Sequence, residues 1–94
     1  MHVTTRHYSG NAELVDALVA READVKDLIT NIDGFRAYYI VRTDTGDAMT
    51  ISVYESAAGG DESVQKARDW VSENLPDLQV SPPQVVAGEV VVSF

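Results

Sequence analysis

The chain has 94 residues, no cysteine, and a formal net charge of −8 from fifteen acidic and seven basic residues. That length is one domain (residues 1–94) with a modest core; the missing cysteines exclude disulfides and thiolate metal sites, and the acidic balance opposes nucleic-acid backbones and anionic membrane surfaces. No stretch reaches the ~20 apolar residues of a membrane span, and the first residues lack the apolar run of a signal peptide, so a cytoplasmic location is expected.

His2 to Tyr8 is rich in β-branched and aromatic residues and predicts a strand. Ser9-Gly10-Asn11 supplies turn and cap chemistry for a helix that follows. Its core stripe is Leu14, Leu18, Val25, Leu28 and Ile32, widened by Val15 and Ile29, with a gap at Arg21 or Glu22. Asp33-Gly34 ends it. Phe35 to Arg42 is the clearest strand, with Phe35, Ala37, Tyr39 and Val41 on one face and Arg36, Tyr38, Ile40 and Arg42 on the other. A polar turn at Asp44–Asp47 leads to a strand from Met49 to Tyr54, with Met49, Ile51 and Val53 alternating against Thr50, Ser52 and Tyr54. Ala57-Ala58-Gly59-Gly60 reads as a flexible connection. A second helix is expected over Asp61–Leu75, its stripe Val64, Ala67, Val71 and Leu75 with Trp70 beside it, stopped by Pro76. Val85–Phe94 reads as a last strand, interrupted near Gly88.

Two strand–helix–strand units joined by a hairpin predict an α+β, ferredoxin-like βαββαβ domain: a four-stranded antiparallel sheet with two helices on one face. The apolar hairpin face is expected beneath the helices. The opposite face, with Arg36, Tyr38, Ile40 and Arg42, is then the expected surface for a second copy. A short chain with little stability to spare gains a larger core by such pairing.

Gly34-Phe35-Arg36 opens the second strand, Val53-Tyr54-Glu55-Ser56 closes the third, and an alanine-containing helix follows. In these features the chain resembles the dimeric α/β barrel superfamily, and within it the antibiotic biosynthesis monooxygenase-like group. The resemblance implies a homodimer formed by packing two sheets together, with a pocket for a small aromatic ligand. Some members of that group oxidise aromatic polyketides without metal or flavin, and some degrade haem. This chain carries Tyr54 where many members have tryptophan, and Asp61–Leu75 lacks the histidine that haem-degrading relatives place nearby. No cofactor is therefore expected.

The residue types that could line a pocket are His7, Tyr39, Tyr54 and Trp70. Histidine titrates near neutrality, and alternation with Val3 and Thr5 allows His7 to point toward the helices. Trp70 could stack on a planar ligand or cap the core. Tyrosine hydroxyls orient ligands but are poor bases at their ordinary pKa. Arg6, Arg36 and Arg42 could bind an enolate or carboxylate, or pair with acids across the dimer. His2 and His7 lie five apart on one strand and face opposite ways, so they cannot chelate one metal, and no acidic cluster has metal-ligand spacing. No nucleophile elbow, P-loop or GxGxxG is present. With no complete catalytic set, whether the chain is an enzyme stays open: a small-molecule-binding protein, as a cofactor-independent oxygenase would be, stands beside a non-catalytic homodimeric interaction or metabolite-sensing module.

Overall fold

The computed structural model describes residues 1–94. The elements run β1 (His2–Tyr8), α1 (Glu13–Ala20), α2 (Glu22–Thr30), β2 (Phe35–Arg42), β3 (Ala48–Tyr54), α3 (Ala57–Asn74), a 3-10 turn (Pro76–Leu78) and β4 (Gln84–Glu89). The strands form one antiparallel sheet in the order β2-β3-β1-β4, with the helices on one side. This is the ferredoxin-like α+β arrangement that the hydrophobic pattern predicts. No helix is long and apolar enough to cross a membrane.

The gap in the first helical stripe is a break. Arg21 leaves helical geometry at φ −116° and ψ 30°, and the chain restarts as α2. Leu14, Val15 and Leu18 of α1 and Val25 and Ile29 of α2 all reach the core on either side of the break.

The expected flexible connection at residues 57–60 is instead the first turn of α3, capped by the Ser56 hydroxyl. The glycines are there for closeness, not flexibility. A Cβ on Gly59 would lie 2.9 Å from Cδ1 of Tyr54, and one on Gly60 would lie 2.7 Å from Oγ1 of Thr4. Only a helix without side chains at these positions can rest directly on β3 and β1.

The last strand is shorter than expected. β4 ends at Glu89, one further backbone bond joins Val90 N–H to the Met1 carbonyl, and beyond it Val91, Val92 and Phe94 are exposed.

The sheet faces the opposite way from the expectation. Along β3 the buried residues are Ala48, Thr50, Ser52 and Tyr54, while Met49, Ile51 and Val53 lie on the side away from the helices. On β1 the helix side carries Thr4, Arg6 and Tyr8, and the open side Val3, Thr5 and His7. The surface under the helices is thus rich in hydroxyls, and the uncovered surface is aliphatic. On β2 a bulge at Arg36 breaks the alternation: Phe35 pairs with Tyr54, and the next pair is Ala37 with Val53. Phe35, Tyr38 and Ile40 accordingly all pack against the core, leaving Ala37, Tyr39 and Val41 on the open face.

Candidate functional site

The buried polar surface has Arg6 at its centre. The residue is 2% exposed. Its Nε donates to the Thr50 hydroxyl at 2.9 Å, Nη1 to the Tyr8 hydroxyl at 3.3 Å, and Nη2 to the Tyr38 hydroxyl at 2.9 Å. All three acceptors are hydroxyl oxygens, and the ion pairs of the molecule lie elsewhere: His7–Asp47, Arg21–Asp24, Arg36–Glu55, Arg42–Asp16 and Lys66–Glu62. Burial pushes the Tyr8 phenol up, with the Arg6 charge opposing and Tyr38 adding to the rise. Tyr8 therefore stays neutral and supplies no negative charge. Arg6 is a buried cation without an anion, an arrangement that proteins avoid unless something compensates it.

Arg6 lines a cleft of about 510 Å³. Arg6 and Tyr8 line its base, Val64, Arg68, Val71 and Ser72 of α3 form one wall, and the segment from Leu75 to Pro83 forms the other, with Val85 of β4 closing the side. Three prolines stiffen that segment, and the Ser81 N–H donates to Oδ1 of Asn11 at 3.3 Å, tying it to the start of α1. The volume suits a small organic molecule. A separate inner void of about 20 Å³ is lined by the same Arg6, Tyr8 and Val71 together with Leu14, Leu18, Val25 and Trp70.

The four residues expected to line a pocket are not brought together. His7 sits on the open face, not toward the helices, with Nε2 3.4 Å from Oδ2 of Asp47. The cause is the reversed facing of β1, which turns Arg6 inward and His7 outward. Tyr39 is also on the open face and is 57% exposed. Tyr54 is fully buried: its ring meets Phe35 edge-on at 5.8 Å, and its hydroxyl donates to the Ile29 carbonyl at 2.8 Å. Its phenol is pushed up to about 12 by burial first, then by Tyr38 and Glu62 against the lowering effect of Arg6. It is a core residue, not a proton acceptor. Trp70 is half-buried against the core, lines the inner void but not the cleft, and lies under the Arg21 guanidinium at 5.5 Å.

The residues expected on the dimer face are displaced in the same way. Tyr38 and Ile40 pack beneath the helices, Arg42 reaches Asp16 of α1 at 2.8 Å, and Arg36 stands at the bulge, 3.7 Å from Glu55. Alternation along a strand sets which residues share a face but not which face is covered, and the bulge shifts the phase after Phe35. Of the arginines considered as anion binders, Arg6 alone is buried. Arg68 and the Leu75–Pro83 wall were not singled out from the sequence; an arginine in phase with Thr4 and Tyr8 was the available signal for Arg6.

No family model matches the chain, and no curated protein sequence is similar to it. Solved structures are similar. An arginine-to-serine mutant of MhuD, with two manganese protoporphyrin IX molecules bound per active site, superposes with a TM-score of 0.75 at 16% identity, over 100% of this chain and 98% of that one. A Deinococcus radiodurans protein assigned as an antibiotic biosynthesis monooxygenase gives 0.68 at 14% identity, over 100% and 96%. Rv0793 from Mycobacterium tuberculosis gives 0.64 at 17%, over 98% and 94%. At these identities the likeness is one of fold. The resemblance seen in Gly34-Phe35-Arg36 and Val53-Tyr54-Glu55-Ser56 is borne out at that level: the chain has the ferredoxin-like fold of the antibiotic biosynthesis monooxygenase-like proteins.

Proposed function

We propose that the protein is a cytoplasmic homodimer that binds a small, flat organic molecule in the cleft beneath α3, as an antibiotic biosynthesis monooxygenase-like protein. The cleft carries this reading: about 510 Å³ lined by Val64, Val71, Leu75, Val80 and Val85 together with the buried residues Arg6 and Tyr8. Pairing of two copies is supported by the uncovered sheet face, where Val3, Ala37, Tyr39, Val41, Met49, Ile51, Val53 and Val86 form an aliphatic surface rather than the polar one a solvated sheet shows. Val91, Val92 and Phe94 extend past the end of the sheet with nothing in their own chain to cover them.

The residues do not suit the porphyrin that MhuD holds. The cleft lining contains no histidine, cysteine or methionine to ligate iron, and its one phenol, Tyr8, is kept protonated and bonded to Arg6. A cofactor-independent oxygenase needs instead a substrate that ionises and reacts with oxygen itself. Arg6 would stabilise the ionised form. Incubation with anthrone-like or quinol compounds, with oxygen uptake and thermal shift as readouts, tests both levels. Oxygen uptake above the uncatalysed rate supports catalysis. A thermal shift without uptake supports binding alone, and the absence of both effects overturns the proposal. The second reading, a metabolite-sensing module without catalysis, is favoured by the absence of any carboxylate or imidazole from the cleft lining, since a general base is then missing.

A further inference from the structure

We propose that the ligand of this cleft is an oxyanion: a planar, conjugated body bearing a carboxylate or an ionised hydroxyl, received by Arg6. The inference rests on the cleft being a ligand site and specifies the charge of what enters it. One observation is the bonding of Arg6. A guanidinium has five N–H groups in a fixed fork. Three are taken by Thr50, Tyr8 and Tyr38, which leaves one on Nη1 and one on Nη2. Those acceptors hold the fork in place without neutralising it. A carboxylate accepts from such a fork through both oxygens.

A second, independent observation is the charge of the lining. The chain has fifteen acidic and seven basic residues, yet the charged residues that line the cleft are Arg6 and Arg68, with no aspartate or glutamate. Arg68, at the rim, hydrogen-bonds the Gln65 amide oxygen and is in no ion pair. On a surface that otherwise repels anions, this cleft is the exception. Low-dielectric walls from Val64, Val71, Val80 and Val85 strengthen its field and suit a flat apolar body.

The test is a matched pair of probes, 2-naphthoate and 2-naphthamide, which differ chiefly in charge. Each is titrated by calorimetry into the wild-type protein and into Arg6→Met, Arg6→Lys and Ser72→Trp, with folding checked by thermal melts. The expected result is a preference for naphthoate of roughly tenfold or more, absent in Arg6→Met and reduced in Arg6→Lys, which keeps the charge but loses the fork. Ser72→Trp, which adds an indole to the cleft lining from α3, should abolish binding of both probes. Equal binding of the two probes by the wild type overturns the oxyanion inference and leaves the cleft as a ligand site. Binding of neither overturns both. A preference that persists in Arg6→Met assigns the anion to another cation and overturns the role of Arg6. Should Arg6→Met fail to fold, Arg6→Lys decides: an undiminished preference there refutes the fork.

Discussion

Arg6 on β1 and Tyr38 on β2 are joined by a 2.9 Å hydrogen bond from Nη2 to the phenolic oxygen, although β3 separates their strands. The guanidinium spans the buried side of the sheet above Thr50, which takes the Nε–H at 2.9 Å. Three strands are therefore held together by one cation. The same residue lines the cleft.

Tyr38→Phe removes one of the acceptors and keeps the ring. Hydrogen bonds to charged groups contribute about 1.5–3 kcal/mol, so a loss of about 2 kcal/mol is expected in urea denaturation. Tyr39→Phe, on the open face, should change stability by less than about 0.5 kcal/mol. Equal effects from the two neighbours would contradict the facing described for β2.

Gly59→Ala and Gly60→Ala test the contact of α3 with the sheet. Helix propensity alone favours alanine by about 1 kcal/mol. The new Cβ atoms would lie 2.9 Å from the Tyr54 ring and 2.7 Å from the Thr4 hydroxyl, so both variants should be destabilised, by about 1–3 kcal/mol. Gly88→Ala, with no atom within 4 Å of its Cβ, serves as the control. A rise in melting temperature in the first two would show that the helix can lift away freely.

The alkaline limb of stability should report on Tyr54. Its folded phenol is pushed up to about 12, whereas an unfolded tyrosine ionises near 10. A raised folded pKa means that the stabilisation is fully present below about pH 10 and is lost as the pH climbs toward about 12. Tyr8, also raised, acts with the same sign. Tyr54→Phe should be weaker at neutral pH by about 1 kcal/mol, from the lost bond to the Ile29 carbonyl, and should decline less steeply above pH ~10. Parallel pH profiles for the two proteins would contradict this.

A charge in the middle of the open face should separate the proposed pair. Ile51→Lys places an ammonium among Tyr39, Thr5 and their neighbours on the uncovered side. The expected sedimentation mass is twice 10.2 kDa for the unmodified protein and 10.2 kDa for the variant at micromolar concentration. Removal of residues 91–94 should weaken the association without abolishing folding, since those residues lie outside every strand. A single-chain mass for the unmodified protein would end the homodimer reading.

Periodicity, turn residues and helix stops determined the order of strands and helical segments, and with it the ferredoxin-like fold, but not the break between α1 and α2 or the helical start at residues 57–60. Each of those signals is local: Pro76 stops α3 and Gly34 turns the chain at φ 81° whatever packs around them. A period of two also determined that Thr50, Ser52 and Tyr54 share a face. Only the tertiary structure decided that this hydroxyl-bearing face lies under the helices and the aliphatic one stands open. The single chain leaves that aliphatic face uncovered, which is the observation behind the proposed pairing. The same decision buries Arg6 and exposes His7 and Tyr39. The bulge at Arg36 and the close approach of Gly59 and Gly60 were likewise invisible, because each depends on what a distant strand places opposite.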